Sequence, residues 1–217
     1  SAYTANFPRV AADTTTGKYL VTWTGDDNTA PLVDGEWEAW SQLVNANGTE
    51  NGTDTRLSDM GPNGSALYTA NRADVAYNSV DTEYLVVWEV AEDLLMARVL
   101  PDGGLPEPGG TPLAAQGWYP AVASDGLGFL VSWLKAPTGE VRAARVDAAG
   151  TLLDAPPLAL AGPALGLGRE LPGVVDGGGG GPAAQDGARS RRAEVSPRGP
   201  GGALATSGVP RGGGPLF

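Results

Sequence analysis

The sequence predicts an all-β fold of tandem four-stranded antiparallel blades, a partial β-propeller, ending in a Gly/Pro-rich tail. Three observations carry this reading. An aromatic-Leu-Val-x-Trp motif stands at Tyr19–Trp23, Tyr84–Trp88 and Phe129–Trp133. Each copy follows a shorter apolar segment, Val10-Ala11, Val75-Ala76 or Val122-Ala123, and precedes another that runs into a glycine turn. Successive Trp residues of the motif lie 65 and 45 positions apart, and a repeat of about 40 to 50 residues is the size of a propeller blade.

The elements of a unit follow in order. The first strand carries the Val-Ala pair and ends at Asp13 or Asp125, with Asn78 near the corresponding place, residues whose side chains make turns. Ahead of it, Tyr3-Thr4-Ala5-Asn6 and Tyr68-Thr69-Ala70-Asn71 read as matching interblade loops. The second strand is the motif itself, and its nearly continuous apolar run argues for burial on both faces. One face presents the aromatic, Val and Trp, the other Leu with Thr22, Val87 or Ser132. A bulky face and a smaller one on every unit suit the stacking of each sheet on the next, as radial blades do. Trp23, Trp88 and Trp133, recurring at one register, therefore read as structural core.

The third strand ends in Asn47-Gly48, Asp102-Gly103 or Ala149-Gly150, where glycine accepts the positive φ of a tight reversal. A short fourth strand is expected near Arg56-Leu57-Ser58, Pro112-Leu113-Ala114 and Leu158-Ala159-Leu160, and the polar insertion at 45–66 in the first unit is expected to be loop. The units thus fall at 7–67, 72–116 and 118–162 of an array covering 1–176. A fourth begins at 170–176, where Pro172-Gly173-Val174-Val175 echoes Pro120-Ala121-Val122-Ala123, and then stops. Residues 177–217 hold thirteen Gly, five Pro and five Arg, too little apolar surface to offset the entropy of ordering. This tail reads as a disordered linker or as an out-of-frame stretch of GC-rich coding sequence, and the stop inside a strand points to the second.

Composition limits the chemistry. With no His and no Cys, a Ser-His-Asp triad, a thiol nucleophile, a disulfide and a Cys/His zinc site are excluded. The net charge is −11, and because the tail has two acids against five Arg, the array itself holds 23 acids against nine bases. Such a surface repels nucleic acid and anionic membranes and is compatible with cations. No apolar run is long enough to span a bilayer.

Trp37, Trp40, Trp118 and Tyr119 fall outside the repeated register and are the candidates for ligand contact by exposed rings. Asp26 and Asp27, with Asn28 and the Glu36-Trp37-Glu38 run, gather oxygen ligands that calcium would accept, although the spacing matches no known calcium loop. Three Asn-Gly-Thr/Ser sequons, at Asn47, Asn51 and Asn63, read as turns. No carboxylate pair stands out for glycoside hydrolysis, and no catalytic residue is assigned.

The string Tyr84-Leu85-Val86-Val87-Trp88-Glu89, with Ala97-Arg98-Val99 and Asp102-Gly103, resembles repeats of large bacterial secreted or surface proteins that look like β-propellers. The first unit departs from the pattern, with Leu43 in place of Arg98 and Arg145. The resemblance implies an extracellular or cell-surface location, neighbouring blades in a longer chain, and a role in adhesion, display or carbohydrate contact. The expected function is a non-catalytic scaffold or binding module for carbohydrate or protein. The alternatives are a carbohydrate-active hydrolase using Asp or Glu, and a structural spacer.

Overall fold

The computed structural model describes residues 3–27 and 30–162. Among these residues are twelve strands in three antiparallel sheets, three blades of a partial β-propeller. Blade one is β1 (Thr4–Ala12), β2 (Tyr19–Asp26), β3 (Trp37–Val44) and β4 (Glu50–Arg56). Blade two is β5 (Ala70–Asn78), β6 (Glu83–Val90), β7 (Asp93–Val99) and β8 (Thr111–Ala114). Blade three is β9 (Gly117–Ser124), β10 (Phe129–Lys135), β11 (Glu140–Val146) and β12 (Leu158–Ala161). Strands are joined in sequence order within each sheet. The first strand of each blade packs on the blade before it, β5 against β1, β2 and β3, and β9 against β5, β6 and β7. The tail and the incipient fourth unit lie outside the described residues.

The core is not inside any blade but between blades. Leu20, Ala39 and Leu43 of blade one meet Tyr84, Val86 and Trp88 of blade two in one cluster. Leu85, Val87 and Leu94 of blade two meet Phe129, Val131 and Trp133 of blade three in the other. Alternation along β6 sends successive side chains into different cores, which is why this strand is apolar throughout. In blades two and three the aromatic-Val-Trp face looks to the preceding blade, and in blades one and two the Leu face looks to the following one.

Trp23 departs from the expectation of a core residue. Trp88 and Trp133 are buried, but Trp23 is only half-buried, and its Nε1–H donates to the Tyr3 hydroxyl. The physical reason is that no sheet among the described residues lies against its face, so Val10 and Tyr19 beside it are 62% and 41% exposed.

Two loop expectations are corrected. Thr4–Asn6 and Ala70–Asn71 are strand, paired with β2 and β6 beyond a bulge. The insertion of blade one is not all loop, since its first part forms β4, with Asn51 opposite Leu43 and Leu57 N–H still donating to Ala39 O at 2.8 Å. The fourth strand is thus centred before Arg56-Leu57-Ser58. Its polar sequence hid it, because an outermost strand facing water has no need of apolar alternation.

The turns between third and fourth strands are closed identically. Asn45, Leu100 and Asp147 each accept from the glycine three residues on and donate to the residue after it. Two of these hairpins also carry an Arg-carboxylate clamp. The Arg98 backbone N–H and guanidinium bind Glu107, and those of Arg145 bind Asp154 in the same way. The remaining Arg98 Nη1 donates to Ala148 O on the hairpin of blade three at 2.9 Å. Gly150, at φ +78°, makes room for it, since a β-carbon there would stand 3.3 Å from Arg98 Nε. The Arg145 guanidinium and N–H hold the Asp154 carboxyl down to about 2. The clamp is complete above the ordinary aspartate range and weakens as pH falls towards that value. The carboxyl carbon of Asp154 is therefore expected to titrate near pH 2 by NMR and to move up towards the usual range in Arg145→Ala, which keeps only the backbone N–H.

Candidate functional site

Each first strand has a bulge, between Asn6 and Arg9 in β1 and between Asn71 and Asp74 in β5, with the matching register shift of β9 opposite Ser132 and Leu134. Phe7, Arg72 and Tyr119 occupy these bulges, three residues before Val10, Val75 and Val122, with φ of 54°, 49° and 55°. Side-chain-bearing residues seldom adopt this left-handed conformation, and each costs about 1–2 kcal/mol. The same cost, met at one position in three successive blades, marks a place where the surroundings hold the chain in strain.

The bulges bring the three side chains together. The Arg72 guanidinium carbon lies 4.3 Å from the centre of the Tyr119 ring and 5.7 Å from that of Phe7, a cation between two π faces. Arg72 Nη1 donates to both oxygens of Glu89, at 3.0 and 3.2 Å. Glu89, buried on β6, also accepts the Tyr119 backbone N–H at 3.1 Å, so one carboxylate fixes its own blade's arginine and the next blade's bulge. Asp74 repeats this a step outward. Its carboxylate accepts Val122 N–H at 2.9 Å and faces Arg9 Nε at 3.6 Å.

Between these residues runs an open groove of about 440 Å³, lined by Phe7, Arg9, Arg72, Asp74, Tyr119 and Pro120 with two alanines. Tyr119 is 54% exposed. Half-exposed rings beside a guanidinium and a carboxylate offer both an apolar face and hydrogen-bonding groups, the surface a sugar ring or a polar peptide segment can use. Asp74 and Glu89 are engaged by backbone N–H groups and guanidinium. Burial raises the carboxyls of Glu38 and Glu83, but Glu38 accepts the Ser58 hydroxyl and Met60 N–H of a loop, and Glu83 starts β6 at the end away from Glu89.

Of the four aromatic residues singled out from sequence, Tyr119 alone lines this groove. Trp37 and Trp40 are half-buried on β3, where Trp40 stands opposite Trp23 and donates Nε1–H to Gly25 O at 3.3 Å. Trp118 is half-buried on β9 opposite Leu134. The expectation that these three are exposed is corrected: they lie in strands whose neighbours cover part of each ring. Phe7, Arg9, Arg72, Asp74 and Glu89 escaped sequence reasoning. The available signal was position, since residues of different type stand at one offset from each Val.

The acidic cluster does not converge on a cation. Asp26 ends β2 and accepts Gly35 N–H at 3.0 Å, while Glu36 accepts Val33 and Gly64 N–H at 3.1 and 2.9 Å. Asp27 is half-buried beside them, and Asn28 lies outside the described residues. Among the described residues no group of three or more carboxylates is placed to hold a metal ion. One oxygen of Asp26 and one of Glu36 thus close loops by accepting backbone N–H groups.

No family model and no curated protein matches this chain. Among solved structures, it is similar to a Hadza microbial sialidase, Hz136, at 13% identity and a TM-score of 0.45, over 66% of this chain and 34% of that one. It is also similar to a Bacteroides ovatus protein whose description assigns it provisionally to the hydrolases, at 12% identity and a TM-score of 0.40, over 75% of this chain and 46% of the other. The chain spans less than half the length of either. These are likenesses of fold at most, and the blades are defined by the chain's own three sheets.

Proposed function

We propose that this array is a non-catalytic scaffold and binding module of a secreted or cell-surface bacterial protein, and that its groove across the first-strand bulges contacts carbohydrate. The observation that carries the reading is the threefold use of a strained, non-glycine bulge to set Phe7, Arg72 and Tyr119 side by side. Strain repeated in this way serves recognition better than stability, which a glycine at the bulge would favour. The surface location is supported by the repeat resemblance.

The test is a glycan array probed with the full chain, alongside a panel of glycosidase substrates. Binding without turnover is expected, and Tyr119→Ala is expected to weaken it about tenfold, the loss of one stacking contact of roughly 1 kcal/mol or a little more, with the β-sheet spectrum unchanged. Turnover abolished by a single Asp or Glu substitution would place the protein among hydrolases instead. Absence of any glycan signal would leave a structural spacer.

A further inference from the structure

The two interblade boundaries close against the next hairpin in different ways. Between blades two and three a cavity of about 120 Å³ remains beside Met96, Arg98, Glu107 and Gly150. The corresponding cavity between blades one and two is about 240 Å³, lined by Leu20, Ser41, Leu43, Thr55, Asp102 and Gly103 among others. Strand pairing sets the correspondence, since Leu20 stands opposite Leu43 and Ser41 opposite Thr55 as Leu85 stands opposite Arg98 and Met96 opposite Thr111. Both halves of the arginine clamp are missing from blade one. Leu43 and Gly52 occupy the places of Arg98 and Glu107, and of Arg145 and Asp154, at the same spacing of nine residues. The next hairpin still comes close: a β-carbon on Gly103 would stand 3.6 Å from Leu43 Cδ1, as one on Gly150 would stand 3.3 Å from Arg98 Nε. The cation is lost, and the wall around its place is polar. Thr22 and Ser41 stand where blade two has Val87 and Met96. Ser41 is 2% exposed and its hydroxyl makes no hydrogen bond among the described residues, while the Oγ1 of Thr22 opposite it is buried without a partner. Buried hydroxyls are costly unless something takes up their hydrogen-bonding capacity. Asp102 uses Oδ1 to accept Gly104 N–H at 2.9 Å and pairs with no cation among the described residues. Lys18, at the place of Glu83, does not line the cavity.

We infer that this cavity is a binding site for a small guanidinium compound, whose head group takes the place that Arg98 fills one boundary later. Asp102 supplies the opposite charge, and the Ser41 hydroxyl and the Pro101 carbonyl accept hydrogen bonds. Pro101 stands two residues before Gly103, as Ala148, whose carbonyl Arg98 bonds, stands two before Gly150. A guanidinium carries donors and no acceptor, which suits a wall of acceptors around one unpaired carboxylate. It is also more weakly hydrated than an ammonium, so it gives up less on entering a partly desolvated cavity. The cavity shares no residue with the groove at the first-strand bulges and is built from blades one and two alone. It therefore depends neither on the carbohydrate reading of that groove nor on what lies against the outer faces of the array.

The test is a titration of the full chain, labelled with nitrogen-15, by ethylguanidinium chloride and separately by its neutral isostere ethylurea. Saturable shifts of the Ser41, Asn51 and Gly103 amides are expected with the cation and not with the urea. Asp102→Asn keeps the acceptor for Gly104 N–H and is expected to weaken binding about tenfold or more, the loss of a charge-assisted contact. Leu43→Arg places a tethered guanidinium in the cavity and is expected to abolish the shifts. Should that core substitution fail to fold, as its β-sheet spectrum would show, Asp102→Asn and Ser41→Ala carry the test. Equal affinity in Asp102→Asn, equal response to ethylurea, or shifts that persist in a folded Leu43→Arg chain would overturn the assignment. So would the absence of any saturable shift, the result for a cavity that holds water alone.

Discussion

Replacing Trp88 by alanine is expected to destabilise the array by about 3–5 kcal/mol, the cost of a large cavity in a packed core. Trp23→Ala, at the same place in the repeat, is expected to cost about 1–2 kcal/mol, as only part of its surface is withdrawn from water. Trp88 is fully buried among Leu20, Ala39 and Met60 of blade one and the side chains of its own sheet, whereas Trp23 faces no further sheet. Urea unfolding followed by fluorescence, at concentrations too low for self-association, measures both. Equal losses would contradict a core that lies between blades.

Arg98→Ala is expected to cost about 1.5–3 kcal/mol, the loss of charge-assisted hydrogen bonds at a partly buried arginine. The guanidinium bonds Glu107 at 2.5 Å, approaches Glu83 at 3.4 Å and reaches the blade-three hairpin, so its loss strands two carboxylates and an interblade contact. The exposed equivalent, Arg145→Ala, is expected to cost under about 1 kcal/mol. Burial already raises the Glu83 carboxyl, against the opposing pull of Arg98. Without the arginine the folded-state value rises further above the unfolded one, so the native state binds the extra proton in the window between them and stability falls as pH rises through it. The deficit of Arg98→Ala is therefore largest at neutral pH and shrinks as pH falls through the raised Glu83 value towards the ordinary glutamate range. Stability curves that stay parallel from pH 7 to pH 4 would remove Glu83 from the explanation.

The candidate site was far less legible in the sequence than the fold. The Tyr84–Trp88 and Phe129–Trp133 runs announce strands through their own alternation, and Gly103 and Gly150 announce hairpins, because both signals are local. The groove carries no such signal. Phe7, Arg72 and Tyr119 share a backbone conformation and not a residue type, and Arg72 gains meaning only when Phe7 and Tyr119 arrive from strands 65 and 47 positions away. In β4 the signal was masked, as Glu50–Arg56 is polar like a loop and is strand only because β3 offers it hydrogen bonds.

By itself the sequence determined the all-β class, the repeat, the order of strands within a unit and the two unequal faces of the motif strand, since these follow from side-chain alternation and turn chemistry along a few residues. Tertiary structure decided which of three equivalent tryptophans is covered, which acids close loops, and which side chains of three blades meet in one groove. Those outcomes depend on what lies against a strand, and a chain's neighbours in space are not fixed by its neighbours in sequence.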